Sequence, residues 1–288
     1  MKVGGPADLF VEAKTKSELV EVLQLAYKLG IKYFVLAGGS NVVFPDKGFR
    51  GLVVRYTASK IKVTSRFNRR KRSPSKNNDE TLMSVEGGAM LGDVVHRLLK
   101  QSLGGFNFLA NIPGSVGGAI VGNAGCYGKE IRDVLKSVEV FNVKTGKIIT
   151  MKPSELGFGY RHSKLKEYSE LVVLSATFRL EKVDKKQALK EIAEEKQLRR
   201  DKHPQAPSCG SWFKNPSRTE PAWKFIESAG MKGATVGGAK ISNKHANFLI
   251  NYRHATTTNI IKLSRLVQQK VKTETGISLK EEVRIIDG

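Results

Sequence analysis

Apolar residues recur at helical spacing across KSELVEVLQLAYKL (16–29), and Gly30 follows as a stop, so the pattern predicts a helix. IKYFVLAGGSN is then apolar for the length of one strand before it breaks into glycine, and GLVVRY reads as a second short strand. From Thr81, LMSVEGGAMLGDVVHRLLKQS reads strand, glycine turn, helix. VLKSVEVFN and LVVLSATFRL are strands within 134–150 and 171–180, and DKKQALKEIAEEKQLRRD (184–201) is a charged helix with arginines near its end, as the helix dipole favours. The pattern changes after Pro204. A loop (207–219) leads to a helix over PAWKFIESA stopped by Gly230, a strand NFLIN, a helix 259–275 capped by the Thr/Asn cluster 256–259 and ended by Gly276, and a terminal strand EEVRII. The stretch 58–80 is polar and basic and reads as a hairpin tip or a disordered loop. These elements predict an α+β protein divided at 1–57, 58–189 and 190–288, with no internal repeat.

Charge changes this picture most. The 288 residues carry a net charge of +22. Eight of the basic residues (Lys60, Lys62, Arg66, Arg69, Arg70, Lys71, Arg72 and Lys76) lie in one acid-free run, and the remainder are spread along the chain. A solvated loop is the favoured reading of that run over a nucleic-acid arm, because no aromatic-basic RNA motif or zinc finger accompanies it. A diffuse positive field also concentrates small anions such as nucleotides. No apolar run approaches the length of a membrane span and the N-terminus lacks a signal pattern, so the expected location is the cytoplasm. Cys126 and Cys209 form no disulfide framework, and the five histidines (His96, His162, His203, His245 and His254) lack ligand spacing, so no metal is expected.

The candidate chemistry lies in small-residue turns. VLAGGSN (35–41), IPGSVGGA (112–119) and NAGCYG (123–128) each leave backbone N–H groups open to a phosphate. None follows the G-x-G-x-x-G or Walker spacing, and each alone is compatible with a simple tight turn. Three together argue for a ligand whose pyrophosphate lies along backbone, a dinucleotide or a nucleotide sugar. Ser211, in PSCGSWFKNP, has no G-x-S-x-G context, so a nucleophile, a proton donor and an idle loop hydroxyl all remain open from local sequence.

LAGGSNVVFPDKGFRGLVV, IPGSVGGAIVGNAGCYG, GFGYRHSKLK, GSWFKNP, AWKFIESAGMKG and EEVR occur in this order. Over nearly the whole chain this resembles the UDP-N-acetylenolpyruvoylglucosamine reductases, in a shorter subtype. The resemblance implies a two-part FAD-binding domain of the vanillyl-alcohol-oxidase type and a C-terminal α+β substrate-binding domain. It implies reduction of the enolpyruvyl C=C of a UDP sugar, with NADPH as reductant and FAD as relay, in peptidoglycan precursor synthesis. It assigns Arg161 to the substrate carboxylate, Glu282 to the developing enolate and Ser211 to protonation of carbon. It places FAD on Ala37, Gly38, Gly39, Ser40, Asn41, Pro113, Gly114, Ser115, Gly117, Gly118, Asn123 and Gly125. Because Ser40 stands where wider relatives carry a flavin-linking histidine, the FAD is expected to be noncovalent. Asn215, Lys202 and Tyr127 are the candidate substrate contacts; a solvated helix end for Lys202 and simple packing for Tyr127 stay open. Ala37, Asn107 and Glu281 depart from the family pattern, and Glu281 leaves two adjacent glutamates to choose between. A monomer with small-molecule partners, no membrane and no specific nucleic acid is expected. The competing functions are another flavin oxidase of the superfamily and a non-catalytic basic protein binding nucleic acid, neither of which needs Ser211.

Overall fold

Thr15 accepts a hydrogen bond from the Glu18 backbone N–H and starts the helix Lys16–Lys28 in the computed structural model, which describes residues 1–66, 80–217 and 219–287. Leu19, Leu23 and Ala26 form the buried stripe of that helix, and Gly30, at φ +64°, lets the chain leave it. The chain forms two compact units. One comprises Phe10–Gly38 and Val53–Glu195, and the other Met1–Leu9, Gly39–Leu52 and Lys196–Gly288. The first is called here the sheet unit and the second the C-terminal unit.

The sheet unit is built on an antiparallel sheet in the order Lys147–Met151, Leu135–Asn142, Leu171–Lys182, Glu80–Glu86, Ile61–Arg66, with Leu103–Gly104 paired to the far end of Leu171–Lys182. Val85, Val138, Val140, Ala176 and Phe178 share its core with Leu91, Val94, Val95 and Leu98 of the helix Leu91–Leu99 and with Val116, Ala119 and Ile120 of the helix Val116–Gly122. Phe178 meets Phe106 edge to face at 4.6 Å, and side chains of this size contribute about 1.5–3 kcal/mol each on burial. The strand Ile61–Arg66 corrects the reading of 58–80 as tip or loop. Ile61 and Val63 pack on the core while Lys62 and Thr64 alternate with them, and the basic content hides that period of two in the sequence. Residues 67–76, the rest of the basic run, lie outside the described residues. A separate three-stranded sheet has Phe49–Tyr56 between Ala7–Ala13 and Tyr33–Leu36.

The C-terminal unit packs the helix Thr257–Thr275 against the antiparallel strands Thr235–Val236, Ala239–Ile241 and Leu249–Asn251 and the helix Ala222–Ser228. The long helix buries Ile260, Leu263, Ser264, Val267 and Val271, the spacing of one face. Its first turn is doubly secured. Thr256 and Asn259 form a reciprocal capping box, and the Asp46 carboxylate accepts from the backbone N–H groups of Thr257 (2.6 Å) and Thr258 (2.9 Å) and from the Thr258 hydroxyl (2.7 Å). Burial opposes ionisation of Asp46, but these bonds outweigh it and hold its carboxyl below the usual carboxylate range. Asp46→Ala is expected to cost about 1 kcal/mol, seen as a fall of about 2–4 °C in the thermal midpoint. An unchanged midpoint would show that the capping box alone suffices. At the chain's end, Arg284–Ile285 pairs in parallel with Val42–Val43.

Candidate active site

In the C-terminal unit the segment that carries Ser211 becomes regular immediately after it. Gly210 sits at φ +77°, a turn that glycine makes without strain. From Trp212 onward the backbone is held on both sides. Trp212 N–H donates to Asn247 O at 2.7 Å. The Asn247 side chain receives Phe213 N–H at 2.9 Å and returns a bond to Phe213 O at 2.8 Å. On the other side, Lys214 N–H donates to Lys280 O and Glu282 N–H to Trp212 O, each at 2.8 Å, with Phe213 opposite Glu281 in an antiparallel bridge. This pairing brings Ser211 and Glu282, far apart in sequence, onto neighbouring backbones. Ser211 is half-buried, and its hydroxyl has no hydrogen-bond partner among the described residues.

The two adjacent glutamates are differently placed. Glu281 accepts from the buried Ser264 hydroxyl at 3.0 Å. Glu282 is half-buried, and its carbonyl accepts from the Asn41 side chain at 3.3 Å. Asn215 uses its side-chain oxygen to receive Ala222 N–H at 3.0 Å, serving the start of the helix Ala222–Ser228. Lys202 is exposed at the end of the helix Lys185–Lys202. Sequence reading does not single out Asn247, because an asparagine between Ala246 and Phe248 carries no local signal of a contact 34 residues away.

Beside Lys202, His203 meets His245 edge-on at 5.5 Å, and Phe248 packs at 4.8 Å from each ring. Burial first, then the neighbouring charges of His245, Arg199 and Lys202, lower the His203 pKa from 6.5 to about 4. His245 is likewise lowered, chiefly by burial. A histidine kept neutral when folded takes up a proton on unfolding, so the stabilisation present above pH 6.5 is lost as the pH falls towards about 4. The thermal midpoint is expected to drop through this window, with a shallower drop in His203→Phe; equal slopes in the two proteins would refute the assignment.

In the sheet unit Arg161 stands at φ +53°, and Asn123 (φ +44°) and Tyr127 (φ +52°) share that left-handed region, which side chains other than glycine's enter at a cost. The surrounding bonds enforce it. An Arg161 guanidinium N–H donates to Gly125 O at 2.8 Å, and the Arg161 carbonyl accepts from Lys166 Nζ at 2.8 Å. Asn123, fully buried, donates to Gly159 O at 2.9 Å and to Glu130 at 3.0 Å. The Ser163 hydroxyl donates to Val121 O at 2.8 Å. The 157–163 loop is thus fastened to the third glycine turn, and the guanidinium lies 5.4 Å from the Tyr160 ring centre. Tyr127 is 65% exposed.

The glycine turns have the form expected for a dinucleotide. The turn 37–41 follows the strand Tyr33–Leu36 directly, with Gly39 at φ +62° and Ala37 outside the left-handed region, so alanine costs nothing there. A side chain on Gly38 would meet only the Met90 methyl, at 3.5 Å, and Met90 pairs with Ser115 of the second turn. That turn is tied down by Leu91 N–H to Gly114 O (3.0 Å) and Val116 N–H to Ala89 O (2.9 Å). Ser115 receives Gly118 N–H at 3.2 Å, and a Cβ on Gly117 would sit 3.1 Å from Gly87 O. Pro113, Gly38 and Gly118 are exposed, no acidic residue lies in 37–41, 112–118 or 123–128, and the buried Asn123 Oδ1 has no partner among the described residues. Exposed backbone without negative charge, beside a buried acceptor awaiting a donor, fits FAD. Asn107, another departure from the family pattern, likewise has a buried side-chain oxygen with no partner among the described residues.

An FAD-binding domain matches residues 7–152, and the C-terminal domain of UDP-N-acetylenolpyruvoylglucosamine reductase matches residues 202–286. The reductase of that name from Enterococcus faecalis is 41% identical over 287 residues, 99% of this chain and 90% of the relative. The chain belongs to the UDP-N-acetylenolpyruvoylglucosamine reductase family. A reductase of the family from Clostridium botulinum is 40% identical over 99% of this chain and 88% of its own length. The solved structure of the reductase from Thermus caldophilus superimposes with a TM-score of 0.78 at 31% identity, covering 99% of this chain and 94% of that one. FAD is accordingly the cofactor, and the α+β architecture is that of the family. Among the described residues no helix is long and apolar enough to cross a membrane, and no group of three or more His, Cys, Asp and Glu could hold a metal ion.

Proposed function

We propose that this chain reduces the enolpyruvyl C=C of UDP-N-acetylglucosamine enolpyruvate to UDP-N-acetylmuramate, drawing electrons from NADPH, in peptidoglycan precursor synthesis. The reading rests chiefly on the pairing of the Ser211 segment with 280–282, which sets a hydroxyl and a carboxylate on neighbouring backbones of one unit. FAD, when bound, supplies the two-electron relay between NADPH and substrate. The chain's own residues must then hold charge on the enolpyruvyl carboxylate and bring a proton to the adjacent carbon.

Arg161 suits the carboxylate, since a guanidinium stays charged and can pair with two oxygens together. Ser211 suits the proton, but an alcohol is a weak acid and acts only when held at the carbon. Glu282 stabilises the enolate-like charge in its protonated or hydrogen-bonded form. Glu282, the residue whose N–H is bonded to Trp212 O beside Ser211, is taken as the acting glutamate. Ala37, Gly38, Gly39, Ser40, Asn41, Pro113, Gly114, Ser115, Gly117, Gly118 and Gly125 line the FAD, with Asn123 contributing its unpartnered oxygen. Lys202 reaches the diphosphate, and Asn215 and Tyr127 contact the substrate. The functional division remains 1–57 and 58–189 for FAD and 190–288 for substrate, in a cytoplasmic monomer.

The test is anaerobic. NADPH should bleach the flavin of the purified protein, and the enolpyruvyl UDP sugar should restore its colour in one turnover. A flavin that oxygen reoxidises and the enolpyruvyl sugar does not would point to an oxidase instead.

A further inference from the structure

Trp212 is fully buried, and its indole N–H donates to the Ser264 hydroxyl at 2.8 Å. That hydroxyl in turn donates to Glu281 Oε1 at 3.0 Å. The chain of bonds runs within the C-terminal unit from the residue after Ser211 to the residue before Glu282. We propose that Glu281 is a positioning residue, which holds Ser211 in register with Glu282 through Ser264 and Trp212. The proposal rests on the functional reading above.

The Ser211 hydroxyl makes no hydrogen bond among the described residues, so its backbone sets its position. Ser211 follows Gly210, a left-handed glycine whose N–H donates to the Ser208 hydroxyl at 3.4 Å, and the pairing that precedes it is the Ser208–Ile250 bridge. The residue after Ser211 is Trp212, whose ring is the largest fully buried side chain among the described residues. Packing holds a buried indole in place, and its one polar group, the N–H, also needs a hydrogen-bond partner. That group finds an oriented acceptor only if the Ser264 proton points elsewhere. Ser264 lies inside the helix Thr257–Thr275, where a free hydroxyl readily turns to the carbonyl one turn back. A carboxylate at Glu281 takes the proton by a charge-assisted bond and leaves the hydroxyl lone pair facing Trp212. The bridge between Phe213 and Glu281 and the bond from Glu282 N–H to Trp212 O complete the frame. A proton donor as weak as serine is sensitive to displacement, and misplacement by about 1 Å costs up to about a hundredfold in rate.

The experiment compares the holoenzyme with Glu281→Ala, Glu281→Gln and Ser264→Ala by two measurements. The first is single-turnover flavin reduction and reoxidation, expressed per bound flavin. The second is the indole ¹H–¹⁵N resonance of Trp212, assigned with Trp223→Phe because the chain has two tryptophans. Glu281→Ala and Ser264→Ala should both shift the Trp212 resonance and slow reoxidation by the enolpyruvyl sugar about ten- to a hundredfold. Reduction by NADPH should be unchanged. Glu281→Gln, whose amide oxygen still accepts from Ser264, should recover most of both signals. Wild-type reoxidation in the alanine variants, or a glutamine variant as slow as alanine, overturns the proposal. If Glu281→Ala fails to retain FAD, Ser264→Ala decides. Failure of wild-type flavin to respond to the sugar overturns the functional reading itself, whereas an indole resonance indifferent to Glu281 overturns only the positioning link.

Discussion

Ser211→Ala is expected to leave flavin reduction by NADPH near the wild-type rate and to slow reoxidation by the enolpyruvyl sugar by about 10²–10⁴, the usual contribution of a positioned proton donor. The substitution removes one hydroxyl that is half-buried and has no partner among the described residues, so it breaks no bond that supports the fold. The backbone contacts that hold the segment begin at Trp212 and persist in the variant. The two half-reactions therefore separate cleanly: a uniform loss in both would indicate damage to the FAD domain, and an unaltered reoxidation rate would remove Ser211 from the chemistry. With Ser211 as the donor, solvent deuterium should slow reoxidation in the wild type, because an exchangeable hydroxyl proton is then the one transferred.

Arg161→Lys is expected to slow reoxidation by about 10²–10³, the effect of losing one well-aimed charge-stabilising donor at a reacting centre. Lysine keeps the charge but cannot bind two carboxylate oxygens through a planar fork. It also loses the guanidinium bond to Gly125 O, but the Asn123–Gly159 bond and the Ser163 bond to Val121 O remain to hold the 157–163 loop. Those two bonds should keep the thermal midpoint within about 2–4 °C of wild type. If Arg161→Lys reoxidises at the wild-type rate, the carboxylate is held by another group. A large fall in the midpoint together with loss of flavin would instead make Arg161 a residue of the fold.

Much of the architecture is written within a few residues of where it acts. The helix Lys16–Lys28 depends on Thr15 and Gly30, and the helix Thr257–Thr275 on Thr256, Asn259 and Gly276, all of them contacts inside one turn or one loop. Capping chemistry is therefore visible to anyone reading along the chain. The same holds for glycines after a strand, whose freedom of φ is intrinsic, and for the ordered motifs that place the chain in its family.

The tertiary structure decided what depends on residues distant in sequence. Val42–Val43 finds its partner at Arg284–Ile285, and residues 39–52 join a unit completed by 196–288; no window of neighbouring residues contains both sides of such a pairing. Ile61–Arg66 looks like part of a basic loop until Glu80–Glu86 pairs with it. Glu281 and Glu282 are chemically identical in sequence, yet the fold sets Glu281 against Ser264, a residue 17 positions upstream on a helix. Local sequence carries local hydrogen bonds and periodicity. Which partner each of two like side chains meets follows from packing between segments that meet only in the folded chain.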